Sequence, residues 1–173
     1  MEYRSVAAAK AYELLNPGGV VWVCTRGADG RPNLAPIAWN CALDYVPVSR
    51  CLFVCDPGHL TFANIEFSRA FILALPTWRQ KDLVLRTGDS SGRAGDKYEK
   101  FGIAARPGSV VDALIPEDAA GWLECRLLEI VRIGSVALIA GEVLKASAAA
   151  DAWTLRLHHA GGDRFYKPGE ALP

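Results

Sequence analysis

Residues 20–42, VVWVCTRGADGRPNLAPIAWNCA, contain two β-type segments joined by a turn sequence. The first segment, residues 20–26, is rich in β-branched and aromatic side chains, and residues 33–42 form a second extended segment. Between them stands Gly27-Ala28-Asp29-Gly30, and Asp-Gly between two such segments is typical of a hairpin turn. The stretch therefore predicts an antiparallel pair of strands near the start of a mainly β domain.

The rest of the chain continues this pattern. Further strands are predicted at residues 50–56, 70–75, 120–131 and 136–147. Arg132-Ile133-Gly134-Ser135 separates the last two and predicts a second hairpin. Short helices are predicted at residues 5–15, 61–67 and 96–103, while the polar segment 77–109 is otherwise predicted to be irregular. Six or more strands without regular alternation of strand and helix favour a closed antiparallel barrel over a doubly wound sheet.

Size and charge limit the possible functions. A chain of 173 residues with 51% apolar and 22% charged residues predicts one globular domain, residues 1–173. Because 19 basic residues balance 19 acidic ones, the overall charge predicts no attraction to nucleic acid or membrane. The charge is uneven, since residues 77–106 carry seven basic against four acidic residues, a net +3.

Targeting and metal signals are weak. The first ten residues lack the apolar run of a signal peptide, and no stretch is long and apolar enough for a membrane span, so a cytoplasmic location is expected. Five cysteines, an odd number, indicate reduced core thiols rather than a disulfide framework. Cys51 and Cys55 lie four residues apart on a predicted strand, about 13 Å along the backbone, too far to share an ion. With only three histidines, a zinc enzyme is not expected.

Several residues suit the binding of a flat anionic ligand. Asn33 and Trp39 lie six residues apart, an even spacing that places both on one face of a regular strand. Thr61 opens a predicted helix, whose free amides favour anions, and Lys97 lies in the basic segment beside glycines. Phe165 stands near the end of the chain. Each has a purely structural alternative: Trp39 and Phe165 as core, Thr61 as a helix cap and Lys97 as a solvated side chain.

Common catalytic motifs are missing from the sequence. It has no G-x-S-x-G elbow between a predicted strand and helix, because the match at residues 88–92 lies in the polar segment, and no G-x-G-x-x-G opens a helix after a strand. The glycine-rich stretch TGDSSGRAGDK, residues 87–97, lacks the G-K-[ST] of a phosphate-binding loop. The order of several weaker motifs is more informative than any of these.

That order resembles the flavin reductase-like family of flavoredoxin-type, FMN-binding split barrels over roughly residues 14–168. The motifs are NPGGVVWVCTRGADGRPNLAPIAW, HLTFANI, GDK, WLEC, IAGEV and a final GG with aromatics. The resemblance implies a Greek-key split β-barrel that dimerises and holds FMN non-covalently near the subunit interface. It also implies that NADH or NADPH reduces the flavin, or that electrons pass from either nucleotide through it to an unknown acceptor.

The resemblance also implies a cofactor site made of Asn33, Trp39, Thr61, Asn64, Lys97 and Phe165. The threonine of T-x-x-N-I resembles a phosphate contact at the start of a helix, and the lysine is that of the family's G-D-K loop. The terminal aromatic is similar to one that lies near the flavin ring. The protein in this interpretation orients the cofactor and needs no general acid or base.

Two positions depart from the family pattern. Gly58 stands where a basic residue often precedes the threonine, with His59 next to it, and Val136 stands where a histidine is common. The second departure bears on the electron partner or on the handling of the flavin. His158 and His159 are candidates to replace that histidine in space.

Other functions remain open at this point. A flavin- or haem-binding carrier without its own turnover is favoured by Val136, because fold does not fix function. A pyridoxamine-phosphate oxidase-like enzyme would need more phosphate-binding arginines than Arg31 and Arg50. An interaction domain with a vestigial pocket is the remaining alternative.

Overall fold

The fold, described by a computed structural model for residues 5–16 and 18–169, is centred on a seven-stranded antiparallel sheet. The strands are β1 (Gly18–Gly19), β2 (Val21–Arg26), β3 (Pro32–Ile37), β4 (Asn40–Asp44), β5 (Arg50–Cys55), β6 (Ala70–Leu75), β7 (Ala105–Pro107), β8 (Leu114–Pro116), β9 (Gly121–Ile133), β10 (Val136–Ala148), β11 (His158–Gly161) and β12 (Arg164–Tyr166). The large sheet has the order β3-β2-β6-β9-β10-β5-β4, β1 pairs with the β11–β12 hairpin, and β7 pairs with β8.

The α-helices are short and lie between the strands. They are α1 (Leu60–Ser68), α2 (Lys81–Gly88), α3 (Lys97–Phe101) and α4 (Ala152–Leu155). Ala8–Leu15, Trp78–Gln80 and Gly92–Ala94 form 3-10 helices. The predicted first helix is thus a 3-10 helix, and Pro17, part of the turn predicted after it, lies outside the described residues. No helix in the described part of the chain is long and apolar enough to cross a membrane.

Both predicted hairpins are present. β2 pairs with β3 around residues 27–30, with Thr25 opposite Asn33, and Gly30 adopts a φ of 76° that favours glycine. The long β9–β10 hairpin turns at Gly134-Ser135, where Gly134 has a φ of 57°. The second strand of the first hairpin is shorter than predicted, because it ends at Ile37 and a separate strand begins at Asn40.

This interruption closes the barrel. β3 and β4 lie at opposite edges of the sheet order, although only Ala38 and Trp39 separate them in sequence. The backbone N–H of Val54 on β5 donates to the carbonyl of Trp39 at 3.0 Å. The two edges must therefore approach each other, and the sheet curls into the predicted mainly β split barrel, in which few edge groups stay unpaired.

The core has two parts on either side of the barrel wall. Alternate residues of β2 point to opposite faces, so Val21 and Val23 join the barrel interior while Trp22 packs into a second cluster outside it. Helix α1 closes one end of the interior with Phe62 and Ile65. Four of the five cysteines are buried, all five are free, and the exposed one is Cys41, so the prediction of core thiols is wrong for that residue.

The segment 77–109 is more ordered than the sequence indicates. It contains α2, α3 and two 3-10 turns, where only one helix was predicted. Helix α2 buries only Val84 and Thr87, which is too weak a periodic pattern to indicate a helix. Trp22 Nε1 donates to Thr87 Oγ1 at 3.2 Å and ties α2 to the barrel wall. This ordered segment forms one side of a cavity against β3 and β5.

Candidate functional site

A cavity of about 450 Å³ opens between the barrel wall and segment 87–93. Strands β3 and β5, the start of α1 and the segment that links α2 to α3 line it. Three of the six residues predicted from the sequence, Asn33, Thr61 and Lys97, lie together in this lining. The volume is within the ordinary range for small-molecule sites.

Asn33 and Thr61 are joined directly. Asn33 Nδ2 donates to Thr61 Oγ1 at 3.1 Å, and both side chains are buried. Asn33 Oδ1 is also buried and has no partner within the described residues. A buried acceptor without a partner costs free energy. A ligand donor in the cavity would satisfy it.

The start of α1 differs from the prediction. The helix begins at Leu60, its N-cap is His59, and no side chain caps it, so the interpretation of Thr61 as the cap is wrong. The first backbone amides of a helix have no intrahelical partner, and the helix dipole makes them favourable to anions. Since His59, Leu60 and Thr61 all line the cavity, α1 begins at its wall.

Lys97 is a buried cation rather than a solvated one. Asp96 caps α3 by accepting hydrogen bonds from Tyr98 N and Glu99 N, which places Lys97 in the first turn. Lys97 Nζ donates to Leu34 O at 3.0 Å and to Thr87 O at 2.7 Å. An ammonium has three donors, so one is left for a ligand.

Burial controls the charge of this lysine. Desolvation, with a smaller contribution from Lys100, lowers the pKa of Lys97 to about 8. The folded-state pKa is still above 7, so the ammonium is the main form at neutral pH. A buried cation held by two neutral carbonyls is stabilised further by an anion in the cavity.

Sequence reasoning missed the polar loop opposite Lys97. Ser90, Ser91 and Arg93 line the cavity, and Arg93 Nη2 donates to Gly58 O at 3.4 Å. Gly92 lies at the closest approach, because a Cβ there would collide with Asn33 Oδ1 and contact Leu60. The glycine-rich stretch 87–97 was the signal for this loop, although it matches no phosphate-binding motif.

Asn64 and Trp39 lie outside the cavity lining. Asn64 Nδ2 donates to Thr25 Oγ1 at 3.0 Å, which fixes α1 to the first hairpin. Trp39 lies beyond the end of β3, so the prediction that it shares a strand face with Asn33 is wrong. Its side chain is 50% exposed, so it is not a core residue either. Its ring centroid is 5.8 Å from that of Tyr12 in an edge-on contact.

Phe165 lines a second, smaller cavity of about 160 Å³. This cavity shares Pro36, Ile37, Gly88 and Asp89 with the first, so the two form one continuous depression. His159 also lines the smaller cavity, with its ring centroid 4.8 Å from that of Phe165.

The charges at the larger cavity have both signs. Arg93 and Lys97 are its cations at neutral pH, Asp56 and Asp89 are its acidic residues, and His59 also lines it. Asp56 is already engaged, because its Oδ1 accepts from Gly58 N at 2.7 Å. The free donors of this lining suit an anion, while Asn33 Oδ1 suits a ligand donor.

An FMN molecule fits this donor set. Lys97, Arg93, the two serines and the α1 amides suit a phosphate, because charge-assisted donors and helix N-termini are the usual phosphate ligands. The unpartnered acceptor on Asn33 suits a hydroxyl or ring N–H of the same molecule.

Comparisons with known proteins agree with the fold and with flavin binding. The sequence pattern of the flavin reductase like domain matches residues 14–165. The Escherichia coli protein YddH is 30% identical over 178 residues, which cover 94% of this chain and 93% of that protein.

Solved structures match nearly the whole chain. An FMN-binding protein of Thermus thermophilus with bound 1-cyclohex-2-enone has a TM-score of 0.85 and 25% identity, and the match covers 99% of this chain and 98% of the other. An FMN-binding domain of a flavin reductases-like enzyme from Shewanella baltica has a TM-score of 0.76 and 29% identity, with coverage of 98% and 96%.

Proposed function

Because this chain belongs to the flavin reductase-like family, we propose that it binds FMN non-covalently in the 450 Å³ cavity and passes electrons from NADH or NADPH through it. A flavin-related oxidoreductase function follows from the family itself. The proposal that FMN binds in this cavity rests on one observation. The buried ammonium of Lys97, the unpartnered amide oxygen of Asn33 and the start of α1 all lie in the same lining.

The chain's own residues bind and orient the cofactor in this proposal. Lys97 and Arg93 hold the phosphate end, with the amides at the start of α1. Asn33 Oδ1 accepts from the cofactor, while Thr61 holds the Asn33 amide in position through its hydroxyl. Arg93 reaches the Gly58 carbonyl, so its guanidinium brings positive charge to the position where relatives often carry a basic residue.

The smaller cavity supplies the apolar side of the site. Phe165 and His159 lie beside the shared residues, so they border the part of the depression away from Lys97. We assign this part to the ring end of the flavin and to the approaching nicotinamide. When bound, FMN would supply the redox chemistry between a nicotinamide and an acceptor, and the chain's own residues would bind and orient it. No general acid or base is assigned to the chain.

The absorbance spectrum of the purified protein, followed by anaerobic titration with NADH and NADPH, tests the proposed function. We expect a yellow protein, or one that becomes yellow with added FMN, whose flavin absorbance is bleached by at least one nucleotide. A colourless protein that takes up no FMN would contradict the cofactor assignment.

Replacing Thr61 with valine should weaken FMN binding about 5- to 30-fold, because one hydroxyl contact contributes about 1 to 2 kcal/mol. Thr61 Oγ1 orients Asn33 and lies in the cavity lining. Thr25→Val is the matched control, since Thr25 Oγ1 accepts an equivalent bond from Asn64 but lies outside the lining. Fluorescence titration with FMN measures both. Wild-type FMN affinity in Thr61→Val would remove Thr61 from the site.

A flavin-binding carrier is the second candidate. Val136, the first residue of β10, stands at the position of the family histidine, and His159 rather than His158 lines the depression. Bound flavin that neither nucleotide bleaches would favour this carrier over the reductase.

We also propose that the chain forms a homodimer. Leu128, Val131, Ile133 and Leu144 on the long β9–β10 hairpin are large apolar side chains exposed in the single chain. Large apolar side chains exposed on one hairpin favour an interface with another protein surface. Sedimentation equilibrium measures the association.

A further inference from the structure

A third cavity, of about 560 Å³, opens at the end of the barrel opposite α1. Its walls include Val21 and Leu75, at the ends of β2 and β6 that are farthest from α1, and Val143 in the middle of β10. It shares no lining residue with the cavity assigned to FMN. It is therefore a separate site in the same chain.

The part of this cavity next to the barrel core is apolar. Leu73 and Leu123 line it together with Val21, Leu75 and Val143, and all five side chains border the core. These side chains continue the hydrophobic interior rather than a polar surface. A ligand that enters the cavity would therefore place a hydrocarbon body against them.

The charges of the cavity lining are not balanced. Arg156 follows α4 and lines the cavity, yet its guanidinium forms no ion pair or hydrogen bond with any described residue. Its Nε is buried, and desolvation lowers the pKa of this arginine, although arginine stays protonated near neutral pH. Burying a charge without a partner costs free energy that an anion would offset.

Arg50 at the same cavity has a partner for only part of its side chain. Its Nη1 contacts Asp44 Oδ2 at 2.8 Å, but its Nε is buried without a partner in the described chain. Asp44 is the acidic residue of the described lining. Two guanidinium groups against one carboxylate leave a net charge of about +1, which matches a single negative charge on a ligand.

We propose that this cavity binds a small organic molecule with an apolar body and one carboxylate, and that the carboxylate pairs with Arg156. The planar guanidinium presents parallel donors that fit a carboxylate. The proposal is independent of the proposed flavin chemistry, because the two cavities have no residue in common.

The test is calorimetric titration of the FMN-loaded protein with octanoate, and with 1-octanol as the uncharged analogue. We expect octanoate to bind about tenfold or more tightly than octanol, because only the carboxylate pairs with Arg156. Arg156→Gln should weaken octanoate binding by a similar factor, with octanol binding and the bound flavin spectrum unchanged. Arg132→Gln is the matched control, since Arg132 is exposed and pairs with Glu66 outside the cavity.

A second variant keeps the test decisive if Arg156→Gln does not fold. Val143→Trp fills part of the cavity, leaves both arginines in place and should abolish octanoate binding. Octanoate binding that survives both substitutions, or equal binding of octanoate and octanol, would overturn the proposal. A wild-type protein that does not bind octanoate would also overturn the proposal. If Arg156→Gln then weakens the dimer in sedimentation, a second copy of the chain occupies the cavity instead.

Discussion

Replacing Lys97 with methionine should weaken FMN binding roughly 30- to 150-fold, the largest effect expected of any single substitution in the cavity. A hydrogen bond to a charged group contributes about 2 to 3 kcal/mol, and 1.4 kcal/mol is tenfold in affinity. Lys97 is only 4% exposed, so solvent screens its charge weakly. Fluorescence titration of the apoprotein with FMN measures the change.

Lys100→Met is the matched control for this substitution. It removes the same charge from the same helix, but Lys100 is exposed and donates to Ser90 Oγ. We expect less than about a threefold change, because exposed charges contribute little. The Leu34 and Thr87 carbonyls lose their donor in Lys97→Met, so the melting temperature of each apoprotein is compared as well. Wild-type affinity in a folded Lys97→Met protein would place the phosphate elsewhere.

Replacing Glu124 with glutamine should lower the free energy of unfolding by about 3 kcal/mol at pH 7, because one pKa unit corresponds to about 1.4 kcal/mol. Glu124 is fully buried on β9. Its Oε2 accepts from the backbone N–H groups of Ser109, Val110 and Val111, and its Oε1 accepts from Ser109 Oγ. Burial by itself would raise the pKa of Glu124, but these hydrogen bonds, first that from Val110 N, outweigh it and lower the pKa to about 2.

The pH dependence follows from this lowered pKa. The stabilisation is fully present above the unfolded value near 4.5 and is lost as the pH falls towards 2. Urea unfolding between pH 7 and pH 2 should therefore show a loss of about 3 kcal/mol in the wild type that is missing in Glu124→Gln. Glu129→Gln, an exposed position on the same strand, should change stability by less than about 0.5 kcal/mol. Parallel pH profiles for wild type and Glu124→Gln would exclude this role.

Strands β2, β5 and β6 were predictable because each is an apolar or β-branched run bounded by turn residues. The short strands β1, β7, β8, β11 and β12 have no such run and were not predicted. The closure of the barrel was not predictable, since it depends on the chain leaving β3 at one edge and entering β4 at the other. No local pattern in residues 33–42 marks that change of partner. The same break moved Trp39 off the face of Asn33, because alternation holds only within one regular strand.

The site was partly predictable. Asn33, Thr61 and Lys97 were singled out by residue type and by the resemblance, and the structure places them in one cavity. Ser90, Ser91 and Arg93 were missed, since polar loop residues have no periodicity and their positions depend on the packing of α2 and α3. Asn64 lies behind the cavity wall, a position that only the pairing of helix and hairpin reveals. Whether Trp39, Asn64 and Phe165 contact the flavin stays a prediction.

Two amide–hydroxyl hydrogen bonds join α1 to the first hairpin, and they bear on how the cofactor would exchange. Thr25 and Asn33 face each other across the hairpin, and each is bonded to α1, through Asn64 and Thr61 respectively. These bonds hold the cavity wall together without a ligand, so little binding energy is spent on ordering it. Under the proposed function, a preorganised cavity of this kind would allow FMN to load and leave while the barrel stays folded.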